Sequence, residues 1–159
     1  MKPFSLILDK INQSLSSASP DDTTALTRVC EILQKEVKNY DWVGFYFSDF
    51  KTKTLHLKAF AGIPTEHESI PFGKGICGQV AVSNSNFIVP DVQAQNNYIS
   101  CNIDVKSEIV IPLFIKGKNV GQIDIDSNTI NAFTQEDEAF LESVCQLVMQ
   151  TYSSNEMIF

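Results

Sequence analysis

An α+β fold, with a mostly antiparallel sheet carrying terminal helices on one face and loops on the other, is predicted by three features of this 159-residue sequence. Apolar residues at helical spacing occupy both ends of the chain. Between them lie strand-length runs in which apolar residues alternate with polar or aromatic ones. Two of these runs flank a hairpin signal, Gly117-Lys-Asn119.

Phe4, Ile7, Leu8, Ile11 and Leu15 predict a first helix over residues 3–15. A Ser/Ala loop closed by Pro20 follows. Asp21 and Asp22 then set acidic residues at the start of a second helix, whose apolar face is Leu26, Val29, Cys30, Leu33 and Val37. Cys30 lies in that stripe and reads as a core thiol. Residues 41–48 read as a strand with Val43, Phe45 and Phe47 on one face and Trp42, Gly44 and Tyr46 on the other. The first face suits a core. The second carries two amphipathic aromatics with a glycine's gap between them. A turn at 50–53 leads to a strand over 54–60, where Leu55, Leu57 and Ala59 alternate with His56 and Lys58. Residues 62–69 form a polar loop holding Pro64 and His67.

Gly73-Lys-Gly-Ile-Cys-Gly78 matches the dinucleotide-binding pattern G-x-G-x-x-G literally. Residues 70–72 make a poor buried parallel strand before it, because Pro71 has no N–H for a ladder. The motif is therefore read as a turn feeding a short helix over 75–82. This placement sets Cys77 near a helix N-terminus and near Lys74, and both effects favour thiolate. Residues 83–86 end that helix and 87–90 form a short strand. Residues 91–106 form a long, mostly polar segment of the kind that serves as a lid or binding loop. Cys101 sits within it, between Ser100 and Asn102, without an apolar context.

In residues 107–114, Ile109, Ile111 and Leu113 share one strand face and Glu108, Val110 and Pro112 the other. In 120–126, Ile123 and Ile125 oppose Asp124 and Asp126. Neighbouring same-face carboxylates repel and need solvent, hydrogen bonds or a cation. An exposed strand face would satisfy them, and so would a ligand. Thr134 as N-cap with Asp137 three residues on opens the last helix, whose stripe is Phe140, Leu141, Val144, Val148 and Tyr152. Cys145 borders that stripe. Residues 153–159 read as a frayed end.

The chain reads as a single domain over 1–159 with a core at roughly 22–152. No apolar run is long enough to span a membrane, and the N-terminal run is too short for a secretion signal, being cut by Asp9 and Lys10. A net charge of −7 argues against nucleic acid and anionic membranes as partners. The four cysteines form no C-x-x-C pair, and with no secretion signal the expected setting is a reducing cytoplasm, in which a disulfide would belong to a catalytic cycle.

Trp42-Val-Gly-Phe-Tyr46, Phe72-Gly-Lys-Gly-Ile-Cys-Gly78, Val89-Pro-Asp91, Ile99-Ser-Cys101, Ser107-Glu-Ile-Val110 and Ile123-Asp-Ile-Asp-Ser127 resemble, in collinear order, the GAF domains of the free methionine-(R)-sulfoxide reductase family. The resemblance runs over roughly residues 25–150. It implies a six-stranded antiparallel sheet backed by helices, a homodimer, and free methionine sulfoxide as substrate. It implies Cys101 as nucleophile and Cys77 as resolving partner. Glu108, Asp124 and Asp126 are then substrate-binding carboxylates, and Trp42 and Tyr46 pocket aromatics. No bound cofactor is implied; an external dithiol such as thioredoxin would restore the thiols. One departure stands out. The family's third cysteine, ten residues before the position of Cys77, is His67 here. Its loss either disables turnover or shifts resolution wholly to Cys77. The alternative is a non-catalytic GAF module that binds a small ligand or senses redox state. The spacing of His67, Cys77 and Cys101 matches no standard zinc pattern, so no metal is expected from it.

Overall fold

The computed structural model describes residues 3–18, 23–95 and 104–152. Asp21, Asp22, Cys101 and the segment 153–159 lie outside the described residues, so the expectations attached to them are not addressed by the fold. The helices are α1 (Phe4–Ser16), α2 (Thr23–Glu36), α3 (Gly75–Ser83) and α4 (Gln135–Tyr152). The strands are β1 (Trp42–Asp49), β2 (Thr54–Ala61), β3 (Ser69–Pro71), β4 (Phe87–Val89), β5 (Ser107–Ile115) and β6 (Lys118–Ser127).

They form one antiparallel sheet in the order β3-β2-β1-β6-β5-β4. The α+β prediction therefore holds, with one strand more than alternation alone located. That strand is β3, which pairs antiparallel with β2 through Thr54–Pro71, Leu55–Ile70 and His56–Ser69. Pro71 is tolerated because β3 is an edge strand, where a missing donor breaks no ladder.

The sheet separates two apolar clusters. On one face α1, α2 and α4 pack over Val43, Phe45, Phe47, Ile109, Ile111, Leu113, Ile123 and Ile125. On the other, Trp42, Tyr46 and Val110 meet Ile76, Cys77 and Val80 of α3. Strand alternation assigned each of these sheet residues to its observed face. Cys30 and Cys145 are buried on the helical side, where burial pushes both thiols far up and leaves them inert. Among the described residues no helix is long and apolar enough to cross a membrane.

α4 begins as its sequence predicts. Asp137 Oδ2 accepts hydrogen bonds from the backbone N–H and the hydroxyl of Thr134, both at 2.8 Å, and the Asp137 N–H reaches Thr134 Oγ1 at 3.3 Å. The other oxygen, Oδ1, accepts from the Tyr40 hydroxyl at 2.7 Å. One carboxylate thus caps a helix and ties it to the end of α2's connection into β1. Asp137→Ala is expected to cost about 2–3 kcal/mol, combining a lost cap with a buried phenol left unpaired. Urea unfolding at neutral pH would measure it.

Candidate active site

β6 is the spine of the sheet face opposite the three long helices. Its residues Gln122, Asp124 and Asp126 all point to that side. Register sets their flanks: Trp42, Gly44 and Tyr46 of β1 stand opposite Asp126, Asp124 and Gln122. On the other side Glu108, Val110 and Pro112 of β5 stand opposite the same three. Directly opposed residues of an antiparallel pair share a face. Alternation within three strands therefore gathers Trp42, Tyr46, Glu108, Asp124 and Asp126 into one patch.

α3 closes over it. The turn from β3 into α3 is tight, with Gly73 N–H donating to the Gly78 carbonyl at 2.8 Å. A Cβ on Gly78 would meet the Pro71 carbonyl oxygen at 2.6 Å, so only glycine permits this approach. Two amides of β6 hold the helix. Gln122 Nε2 donates to the Cys77 carbonyl at 3.0 Å, and Asn119 Nδ2 donates to the Val80 carbonyl at 3.2 Å. The Cys77 thiol is left facing the acids and donates to Glu108 Oε2 across 3.9 Å. One ligating atom each from Cys77, Glu108 and Asp124 lies within 4.8 Å of the other two.

This differs from two expectations. Asp124 and Asp126 were compatible with a solvated strand face, but both are only 2 % exposed, and Glu108 is 4 % exposed. Burial raises the carboxyl of Asp124 above the usual range and that of Asp126 well above it, and for Asp126 the charge of Asp124 adds to the rise. Hydrogen bonding to Glu108 opposes the rise in both. Cys77 was expected to be a thiolate, being near a helix N-terminus and Lys74. Burial first, then Asp124 and Glu108, push the thiol well above its ordinary value, so it rests protonated. Lys74 is exposed and cannot offset burial together with the neighbouring carboxyls of Asp124 and Glu108.

The aromatics serve the loop before β3. Trp42 Nε1 donates to the Ile63 carbonyl at 3.0 Å, and the Tyr46 hydroxyl to the His67 carbonyl at 2.8 Å. Trp42 also stacks on Phe60, with ring centroids 6.0 Å apart. A cavity of about 10 Å³ opens among His67, Ile70, Gly75, Cys77, Glu108 and Asp124. That is roughly room for one water. Trp42, Tyr46 and Asp126 stand outside its wall. Gly75, Ile76 and Cys77 begin α3, whose first backbone N–H groups have no helical partner, and Lys74 adds no side-chain cap. A positive helix end thus borders the acids.

Gly44 lies under Trp42. A Cβ there would fall 2.3 Å from Trp42 Cη2. Gly44→Ala is expected to destabilise the fold by about 1–3 kcal/mol and to displace the indole. Tryptophan fluorescence together with thermal melting would read both effects.

Cys101 lies outside the described residues, but the stems of its loop do not. The Val92 N–H donates to the Lys106 carbonyl at 2.9 Å, and the Lys106 N–H to the Ser127 carbonyl at 2.8 Å. The loop therefore leaves and returns beside Ser107, next to Glu108 and Asp126. Sequence reasoning missed Gln122, although Gln122, Asp124 and Asp126 alternate as three polar positions on one face.

Comparison with known proteins agrees with this arrangement. A family profile described as "GAF domain" matches residues 19–151. The free methionine-R-sulfoxide reductase of Escherichia coli is 32% identical over 143 residues, covering 88% of this chain and 83% of that protein. GAF domain-containing protein A of Dictyostelium discoideum is 39% identical over 114 residues, covering 72% and 71%. The crystal structure of free methionine-R-sulfoxide reductase from Neisseria meningitidis in complex with its substrate superposes with a TM-score of 0.89 at 29% identity, over 98% of this chain and 92% of that one.

Proposed function

We propose, from the premise that this chain belongs to the GAF-domain family of free methionine-R-sulfoxide reductases, that it reduces free L-methionine-(R)-sulfoxide to methionine. The observation that carries the reading is the buried group of Glu108, Asp124 and Asp126 with a thiol among them. Three carboxyls out of water are costly unless a cation or shared protons meet them. An amino-acid ammonium is such a cation and would be held by charge-assisted hydrogen bonds. The free N–H groups at the start of α3 suit the substrate carboxylate. The cavity must widen to admit an amino acid. Its loop-side wall at His67 is tied to Tyr46, and Trp42 and Tyr46 would surround the S-methyl group once the cavity has widened.

Chemistry then follows from proton positions. The Cys101 thiolate attacks the sulfoxide sulfur. One of the carboxyls, kept protonated by burial, gives its proton to the sulfoxide oxygen. Methionine leaves and the oxygen stays on Cys101 as a sulfenic acid. The carboxylate just formed accepts the Cys77 proton. The Cys77 sulfur condenses with the sulfenic acid to form a disulfide, and the same carboxyl returns its proton to the departing hydroxide, so water leaves. The sum is one sulfoxide and two thiols giving methionine, water and a disulfide. An external dithiol such as thioredoxin would reduce that disulfide in the cytoplasm. In this reading Cys77 resolves alone, His67 having taken the place of the third cysteine, and the protein works as a homodimer.

The reach of the loop supports the pairing. Cys101 is five residues from Lys106, a span of at most about 17 Å. The test is incubation with dithiothreitol and each of three substrates: the free R isomer, the free S isomer and peptide-bound sulfoxide. Methionine is expected only from the free R isomer. No product from it would return the chain to the non-catalytic GAF reading.

A further inference from the structure

The cluster that the proposed reduction would use also offers a set of metal donors. Cys77 Sγ and Glu108 Oε2 are 3.9 Å apart, and both lie within 4.8 Å of an Asp124 carboxylate oxygen. A tetrahedral zinc ion with bonds of about 2.3 Å to sulfur and about 2.1 Å to oxygen needs about 3.6 Å between such donors. Asp124 Oδ1 is buried and accepts no hydrogen bond among the described residues, although Asp124 forms part of the cavity wall. The cavity, about 10 Å³, fits a single ion or water and not an amino acid. His67 borders the cavity but is not among the donors that lie within 4.8 Å of one another.

We propose that Cys77, Glu108 and Asp124 form a binding site for one borderline divalent cation of the zinc class, which excludes substrate while it is bound. The mixed sulfur and oxygen donors select this class. A thiolate disfavours magnesium and calcium, which take oxygen ligands. Binding replaces the thiol proton, so Cys77–SH and the cation give a Cys77 thiolate–metal bond and release a proton. Further protons leave if Glu108 or Asp124 holds one. Lys74, the one lysine or arginine among the described residues of the cavity wall, is exposed and can turn to solvent. A metal-held Cys77 cannot condense with a sulfenic acid. The cation would thus act as a reversible block of the thiol cycle. Linear spacing hides the site, because its donors come from α3, β5 and β6.

Cobalt(II) is the direct probe, since thiolate ligation adds a sulfur-to-metal charge-transfer band. The full chain, reduced and freed of metal, is expected to bind one cobalt with that band and to exchange it for zinc. Cys77→Ser should abolish the band. Asp124→Asn should weaken binding at least tenfold, about 1.4 kcal/mol. Thermal melting of each variant reports that it is folded. Absence of the band in the wild type, or its survival in Cys77→Ser, overturns the proposal. These binding outcomes do not depend on reductase activity, so the two readings fail separately. In an active preparation, zinc should suppress methionine formation and a chelator restore it.

Discussion

An Asp124→Asn variant is expected to melt a few degrees above the wild type at neutral pH and yet to lose about 10²–10⁴-fold in methionine formation. The two effects have one origin. Asp124 is buried beside Glu108 and Asp126, and its carboxyl is raised chiefly by that burial. An acid with a raised folded-state pKa binds more protons folded than unfolded. Its favourable contribution is fully present below the unfolded value of about 4 and is lost as pH rises through the folded value. Above about pH 4 ionisation of the unfolded chain therefore costs the wild type stability, and asparagine removes that cost. The difference in unfolding free energy, variant minus wild type, should grow as pH rises from about 4 through the folded value and then level off. Asparagine cannot donate the acidic proton and holds an ammonium less well, so activity falls. Melting curves from pH 4 to 9, set beside turnover with free methionine-(R)-sulfoxide, test both halves. A destabilised variant with full activity would mean that Asp124 is purely structural.

The cysteine variants should separate sharply. Cys101→Ser is expected to abolish methionine formation, a loss of at least about 10³-fold, because a hydroxyl cannot take the sulfoxide oxygen as a thiol does. Cys77→Ser should retain one burst of methionine per chain, since the first oxygen transfer needs only Cys101. What it should lose is turnover with thioredoxin, whose substrate is the disulfide. Dithiothreitol, being small, should rescue part of it by reducing the sulfenic acid directly. The protonated state of Cys77 is consistent with this division. It is held neutral by burial and by Asp124 and Glu108, and in the proposed cycle a carboxylate that has given up its own proton would activate it.

Strand alternation carried most of the site. The runs around Trp42, Glu108 and Asp124 each have period two, and the register of β1, β6 and β5 then fixes which side chains meet. What the sequence could not convey is depth. Asp124 and Asp126 look alike on an exposed or a buried face, and only the packing of α3, itself allowed by Gly78, takes them out of water. The ionisation of Cys77 was misjudged for the same reason. Local cues, a helix end and a lysine, pointed to thiolate. Desolvation and two carboxyls distant in sequence outweigh them. β3 escaped notice because it is three residues long, contains Pro71, and exists only through pairing with Thr54, Leu55 and His56. Gln122 was passed over because amides carry no chemistry by themselves. Its role is to hold the Cys77 carbonyl and so aim the thiol.

Mapping the oxidised chain tests the central idea most directly. Reduced protein, given one equivalent of free methionine-(R)-sulfoxide and no reductant, would be digested and its disulfides located by mass spectrometry. A Cys77–Cys101 bond, formed in step with one methionine per chain, is the predicted result. Methionine without that bond, or a bond that instead engages Cys30 or Cys145, would contradict it.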